Sequence, residues 1–155
     1  MIQRVLIANR GAIATRIQRT LSRMGIESVS VFAEADRASR HVANATQAFS
    51  LGAGGAVDTY LNVELLLDIA QRAGVDAIHP GYGFLSENPA FANAVEKAGM
   101  RFLGPSAPQL EAFGLKHEAR RLAAEAAGPL LSGSRRLVSA GEALAAAEGV
   151  GWPVR

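Results

Sequence analysis

An α/β protein built on a doubly wound parallel sheet is the fold class that the sequence predicts, and three observations carry it. Short apolar runs alternate with amphipathic stretches of about ten to fifteen residues up to residue 104, the rhythm of right-handed βαβ units. The runs end in turn chemistry, Asn9-Arg10-Gly11 after the first and Gly104-Pro105 after the fifth. Of the 155 residues, 49% are hydrophobic and 19% charged, enough apolar side chain for a sheet buried on both faces.

Taken in order, Arg4–Ala8 is a compact apolar run and reads as a buried strand. Ile13, Ile17, Leu21 and Met24 then recur every three or four positions, predicting a helix from Ala12 to Met24 that Gly25 stops. Val29–Phe32 is the second strand. A helical turn near 38–43 leads to a weaker third strand, Gln47–Leu51. Gly52-Ala53-Gly54-Gly55 reads as a flexible loop. A helix from Leu61 to Ala73 follows, with Gly74 after it.

Ala77–His79 is the fourth strand and runs straight into "HPGYGFLSEN" (His79–Asn88). Ser86 or Asn88 can cap the next helix, Phe91–Ala98, with Pro89 suited to its first turn. Arg101–Leu103 is the fifth strand and completes a domain over 1–104. From 105 to 155 the pattern is helical, over Pro108–Phe113, Leu115–Ala127 and Ala140–Glu148. Gly128-Pro129 and Ser132-Gly133-Ser134 read as loops, and Trp152–Arg155 as the opening of a further strand. The chain therefore reads as a piece of a longer polypeptide.

Composition excludes several classes. Fourteen arginines and two lysines, Lys97 and Lys116, nearly balance fourteen acids, and the arginines are scattered in sequence without interleaved aromatics. That is not a nucleic-acid footprint. No stretch reaches the roughly 18 apolar residues of a membrane span, and no leader pattern precedes the first strand. With no cysteine, disulfide and thiolate chemistry are out, and a reducing, cytoplasmic setting is expected.

Several stretches carry the chemistry. Asn9-Arg10-Gly11 stands where a strand gives way to a helix, but the G-x-G-x-x-G fingerprint is missing, so a structural turn outweighs a dinucleotide site. No Gly-Lys-Ser/Thr follows Gly52–Ala56, which excludes a P-loop. Arg16, Arg19 and Arg23 share one helix face, as a solvated row or an interface. Gly81 and Gly83 let backbone approach a ligand closely, with the rigid ring of Tyr82 between them. Lys116, after Gly114 at the start of a helix, reads as an ordinary solvated charge, with a phosphate contact as the alternative.

Together, "RVLIANRGAIATRI", "HPGYGFLSENPAFA", "FLGPS" and "FGLKHEARRLA" resemble, in order and spacing, the N-terminal part of the biotin carboxylase family. Ala12 stands where most of the family has the glutamate of "NRGEIA"; with "LGAGGAVDTYL" and "FGLKH" this is similar to the urea carboxylase branch. The resemblance implies an ATP-grasp enzyme whose N-terminal domain is the doubly wound unit, followed by a helical linker and the start of the ATP-grasp domain. It implies ATP, Mg2+, bicarbonate and a biotin tethered to a carrier domain, with carboxyphosphate formed before biotin is carboxylated. A carboxyltransferase domain would then pass the carboxylate to urea. Acyl-CoA or pyruvate as acceptor, or a non-catalytic assembly module, are the alternatives.

By the same resemblance Lys116 contacts nucleotide phosphates, Tyr82 and Gly83 border the biotin and bicarbonate pocket, and Arg16 and Arg19 belong to a homodimer interface. Arg23 stands where some family dimers carry an acid. The glycine-rich lid, a second nucleotide-binding lysine, the metal-binding glutamates and the base for bicarbonate all fall past Arg155. The resemblance thus places no catalytic residue and no metal ligand within the chain.

Overall fold

The computed structural model describes residues 1–131 and 137–151. The expected loop at Ser132–Ser134 and the strand opening at Trp152–Arg155 lie outside them. Two compact units divide the chain, Met1–Leu110 and Glu111–Arg155.

The first unit is a five-stranded, all-parallel sheet in the order β3-β2-β1-β4-β5, with β1 Arg4–Ile7, β2 Glu27–Phe32, β3 Gln47–Ser50, β4 Ala77–His79 and β5 Arg101–Phe102. Leu6 of β1 stands level with Val29 of β2 and Ile78 of β4, which fixes the central register. Because side chains alternate along a strand, β1 feeds two cores. Val5 and Ile7 pack with Ala14 and Leu21 of α1 (Gly11–Arg23) on one face. Leu6 and Ala8 join the larger core on the other face, with Leu66 and Ile69 of α3 (Val63–Arg72) and Phe91 and Val95 of α4 (Pro89–Lys97). Helices cover both faces of the sheet, which is what makes a parallel sheet stable in water. Phe91 is fully buried and meets Phe102 edge to face, ring centroids 5.9 Å apart. Burying such a ring contributes about 1.5–3 kcal/mol.

The helix starts follow local chemistry. Asn88 Oδ1 accepts from the Phe91 N–H and Pro89 opens α4, so Asn88, not Ser86, is the cap. Asn62 Oδ1 accepts from the Leu65 N–H and starts α3 two residues later than the apolar periodicity predicts. A 3-10 turn at Glu34–Asp36 and the short α2 (Arg40–Ala43) link β2 to β3. α5 runs from Ala107 to Gly114. In the second unit, α6 (Lys116–Glu125) is laced by Arg121, whose guanidinium pairs with Glu118 and Glu125. α7 (Ala140–Val150) starts at Ser139, whose Oγ accepts from the Glu142 N–H. Among the described residues, no helix is long and apolar enough to cross a membrane.

Candidate functional site

The chain leaves β1 for β2 on one side and reaches β4 on the other, so strand order reverses between β1 and β4. In open α/β sheets the crevice beyond the strand carboxyl ends at such a reversal is where ligands bind. Here two segments meet there, Ala8–Gly11 after β1 and Pro80–Phe84 after β4. They line a groove of about 490 Å³ that also includes Ala12 and Ile13.

Asn9 joins the two segments. Its side chain is fully buried, and its Nδ2 donates to the carbonyls of Pro80 (2.8 Å) and Tyr82 (2.9 Å). Its Oδ1 accepts from the Arg10 N–H at 2.9 Å. Every polar atom of this buried amide therefore has a partner, as burial requires. Gly81 lies against it with φ +69°, and a Cβ there would sit 2.6 Å from Asn9 Nδ2 and 2.8 Å from Ile13 Cγ2. His79 closes the same turn, its Nδ1 accepting from the Gly81 N–H at 3.0 Å. Burial holds the His79 imidazole below its usual pKa.

Arg10 anchors the outer wall. Its guanidinium lies over the rings of Tyr60 (5.4 Å) and Phe84 (5.8 Å) and pairs with Asp36 at 3.0 Å. The Tyr60 and Phe84 rings stack at 5.2 Å, and Phe84 takes a left-handed φ of +46° to reach that position. Tyr60 donates to Asp36 Oδ2 at 2.7 Å and accepts from the Ala33 N–H at 3.0 Å. Burial raises the Tyr60 phenol well above its usual pKa. Partial burial pushes the Asp36 carboxyl up, but hydrogen bonds from Tyr60 and Arg10 outweigh it and hold the group below its ordinary value. Beneath, His41 is fully buried; its Nδ1 accepts from the Gly11 N–H and its Nε2 donates to the Val31 carbonyl, both at 3.3 Å. Burial pushes this imidazole down, so it is neutral at pH 7.

Residues 1–110 match the family described as biotin carboxylase, N-terminal domain. The chain belongs to the biotin carboxylase family. It is 44% identical to biotin carboxylase 1 of Bacillus subtilis over 155 residues, covering 99% of this chain and 34% of that protein. To the urea amidolyase of Saccharomyces cerevisiae it is 45% identical over 150 residues, 97% of this chain and 8% of that protein. A solved structure of the Hydrogenobacter thermophilus 2-oxoglutarate carboxylase biotin carboxylase domain, a dimer with MgADP, ADP and bicarbonate, superposes with a TM-score of 0.88 at 39% identity, covering 99% of this chain and 34% of that one. The chain thus spans about a third or less of these relatives.

As a biotin carboxylase N-terminal domain, the chain brings Tyr82 and Gly83 together on one groove, with the Tyr82 side of the loop facing solvent at 72% exposure. At Gly83 a Cβ would meet no protein atom within 4 Å, and the φ of +67° favours glycine. Gly81 is the glycine with no room. Arg16 and Arg19 lie on an adjoining groove of about 410 Å³ with Ser39 and Arg40, and Gly11 and Ala12 border both grooves. Lys116 opens α6 in the second unit and is exposed, its ammonium in no ion pair among the described residues.

The Asn9, Asp36, Tyr60 and Phe84 contacts were not anticipated from the sequence. Only Asn9 left a signal, a polar residue at the end of a strand that is buried on both faces. Among the described residues no group of three His, Asp or Glu side chains gathers to hold a metal ion.

Proposed function

We propose that this chain is the N-terminal part of an ATP-dependent biotin carboxylase that makes carboxybiotin from bicarbonate, ATP and biotin, with urea as the eventual acceptor. The observation that carries the reading is the pairing of the family match over residues 1–110 with an accessible groove at the strand-order reversal. The residues present fit the groups concerned. The flat ureido group of biotin suits a groove rimmed by the exposed Tyr82 ring and the side-chain-free backbone of Gly83. An exposed ammonium at the start of a helix, as at Lys116, suits a nucleotide phosphate. When bound, ATP supplies the phosphoryl group that activates bicarbonate, and biotin supplies the nitrogen that receives the carboxylate.

In this reading Tyr82 and Gly83 border the biotin and bicarbonate pocket, Lys116 contacts nucleotide phosphates with Mg2+ held by residues outside the chain, and Arg16 and Arg19 face a second copy. Residues 1–104 form the N-terminal domain, and 105–155 form a linker entering an ATP-grasp domain. The partners are a biotin carrier domain and a carboxyltransferase domain, in the cytoplasm. Identity of 45% to the urea amidolyase supports urea as acceptor. Near-equal identity to the Bacillus biotin carboxylase keeps an acyl-CoA or pyruvate acceptor as the second reading.

The test is bicarbonate-dependent ATP hydrolysis by the full-length enzyme with and without free biotin, then with urea, pyruvate or acetyl-CoA as acceptor. Biotin should stimulate turnover and urea should consume the carboxyl group. Turnover indifferent to biotin would end the proposal, and consumption of an acyl-CoA or pyruvate would select the second reading.

A further inference from the structure

The loop from Pro80 to Phe84 carries Tyr82 and Gly83, yet it contains no regular structure of its own, so something outside it must fix its shape. The β1 and β4 backbones are joined by the sheet only as far as Ala8, whose N–H donates to the His79 carbonyl at 2.9 Å. Beyond that point the Asn9 side chain takes over the pairing. It donates to Pro80 and to Tyr82, two carbonyls that flank the left-handed Gly81, and so holds both ends of the turn from one amide nitrogen. The 2.6 Å approach of a Gly81 Cβ to the same nitrogen shows how closely the loop lies on it.

We infer that Asn9 is a positioning residue for the biotin step, fixing the Tyr82–Gly83 segment in its productive shape from the opposite strand. The inference rests on the proposed role of that segment. Only an amide of this length serves. Aspartate has the same shape but offers no proton to either carbonyl, and serine is too short to reach both. A site held by a buried, fully satisfied group is preorganised, and releasing it loosens the reacting geometry before it loosens the fold.

The experiment is Asn9→Asp in the full-length carboxylase, with Asn9→Ser read in its place should the aspartate variant fail to fold. Two readouts are taken, amide hydrogen exchange and steady-state kinetics. Exchange at residues 81–86 should quicken by about tenfold or more, the effect of losing two buried hydrogen bonds, while the amides of β1 and β2 keep their protection. The KM for free biotin should rise by a similar factor with the KM for ATP within about twofold of wild type. Uniform loss of protection across β1, β2 and the loop would make Asn9 a residue of the fold alone and overturn the inference, as would unchanged exchange at 81–86. If wild-type enzyme ignores biotin, the functional reading falls, and the exchange data still decide whether Asn9 sets the loop.

Discussion

Alanine at Gly81 and alanine at Gly83 are the same chemical change two residues apart, in nearly the same backbone conformation, φ +69° and +67°. Each pays the left-handed penalty of an L-residue, about 1–2 kcal/mol. At Gly83 that is the whole cost, because a Cβ there meets nothing within 4 Å. At Gly81 the Cβ would stand 2.6 Å from Asn9 Nδ2, 2.8 Å from Ile13 Cγ2 and 3.0 Å from Asn9 Cγ. Neither neighbour yields readily, since Asn9 is tied to two carbonyls and Ile13 is branched against the groove wall. Overpacking of that kind adds about 1–3 kcal/mol, so Gly81→Ala should cost about 2–5 kcal/mol in all. Urea unfolding followed by circular dichroism measures both variants: the midpoint should fall further for Gly81→Ala with the slope unchanged. In thermal scans, at about 2–4 °C per kcal/mol, Gly81→Ala should lose roughly 4–20 °C and Gly83→Ala no more than about 8 °C. Equal losses, or a larger one at Gly83, would refute the close contact between the loop and Asn9.

In the full-length enzyme, Lys116→Gln should raise the KM for ATP about tenfold or more while leaving that for biotin near wild type; an unchanged ATP KM returns Lys116 to the solvated surface. Stability of the chain should decline as pH falls below about 6.5: His41 and His79 are held below that value by burial, so the unfolded chain takes up protons that the folded one resists, and this contribution is complete above 6.5 and lost beneath it. A urea midpoint equal at pH 7.5 and 5.5 would contradict it; Asp36 and Asp76, lowered from 3.8, titrate outside that window. The 155-residue chain alone should show no bicarbonate-dependent ATP hydrolysis above background, because phosphoryl transfer needs metal ligands that the proposed function places outside this chain, and measurable turnover would refute that.

What was legible in the sequence is what depends on period and punctuation. Val5, Leu6 and Ile7 read as a strand because both faces of a parallel sheet are buried, and Ile13, Ile17 and Leu21 read as a helix because they recur on one face. Asn88 could be named beforehand as a cap because capping is settled within four residues. The groove was legible only as a location. Which glycine is crowded depends on Asn9 and Ile13, some seventy positions away in sequence, and no local rule separates Gly81 from Gly83. Nothing local to Tyr60 marks its role, which comes from Asp36 and Arg10 that only the assembled sheet brings alongside.

The cluster of Arg10, Asp36, Tyr60 and Phe84 draws one residue from each of four connections, those after β1, after β2, after β3 and after β4. None of its contacts is between sequence neighbours, so each waits on closure of a long stretch of chain. The groove wall therefore cannot be built piecemeal. It exists only after β1 has found both β2 and β4, and it is an early loss in any partial opening that releases one of these connections. A substitution far away that weakens β3 or α3 would thus be felt at the groove as a fall in the fraction of molecules with Tyr60 under Arg10, while the remaining strands still read as folded.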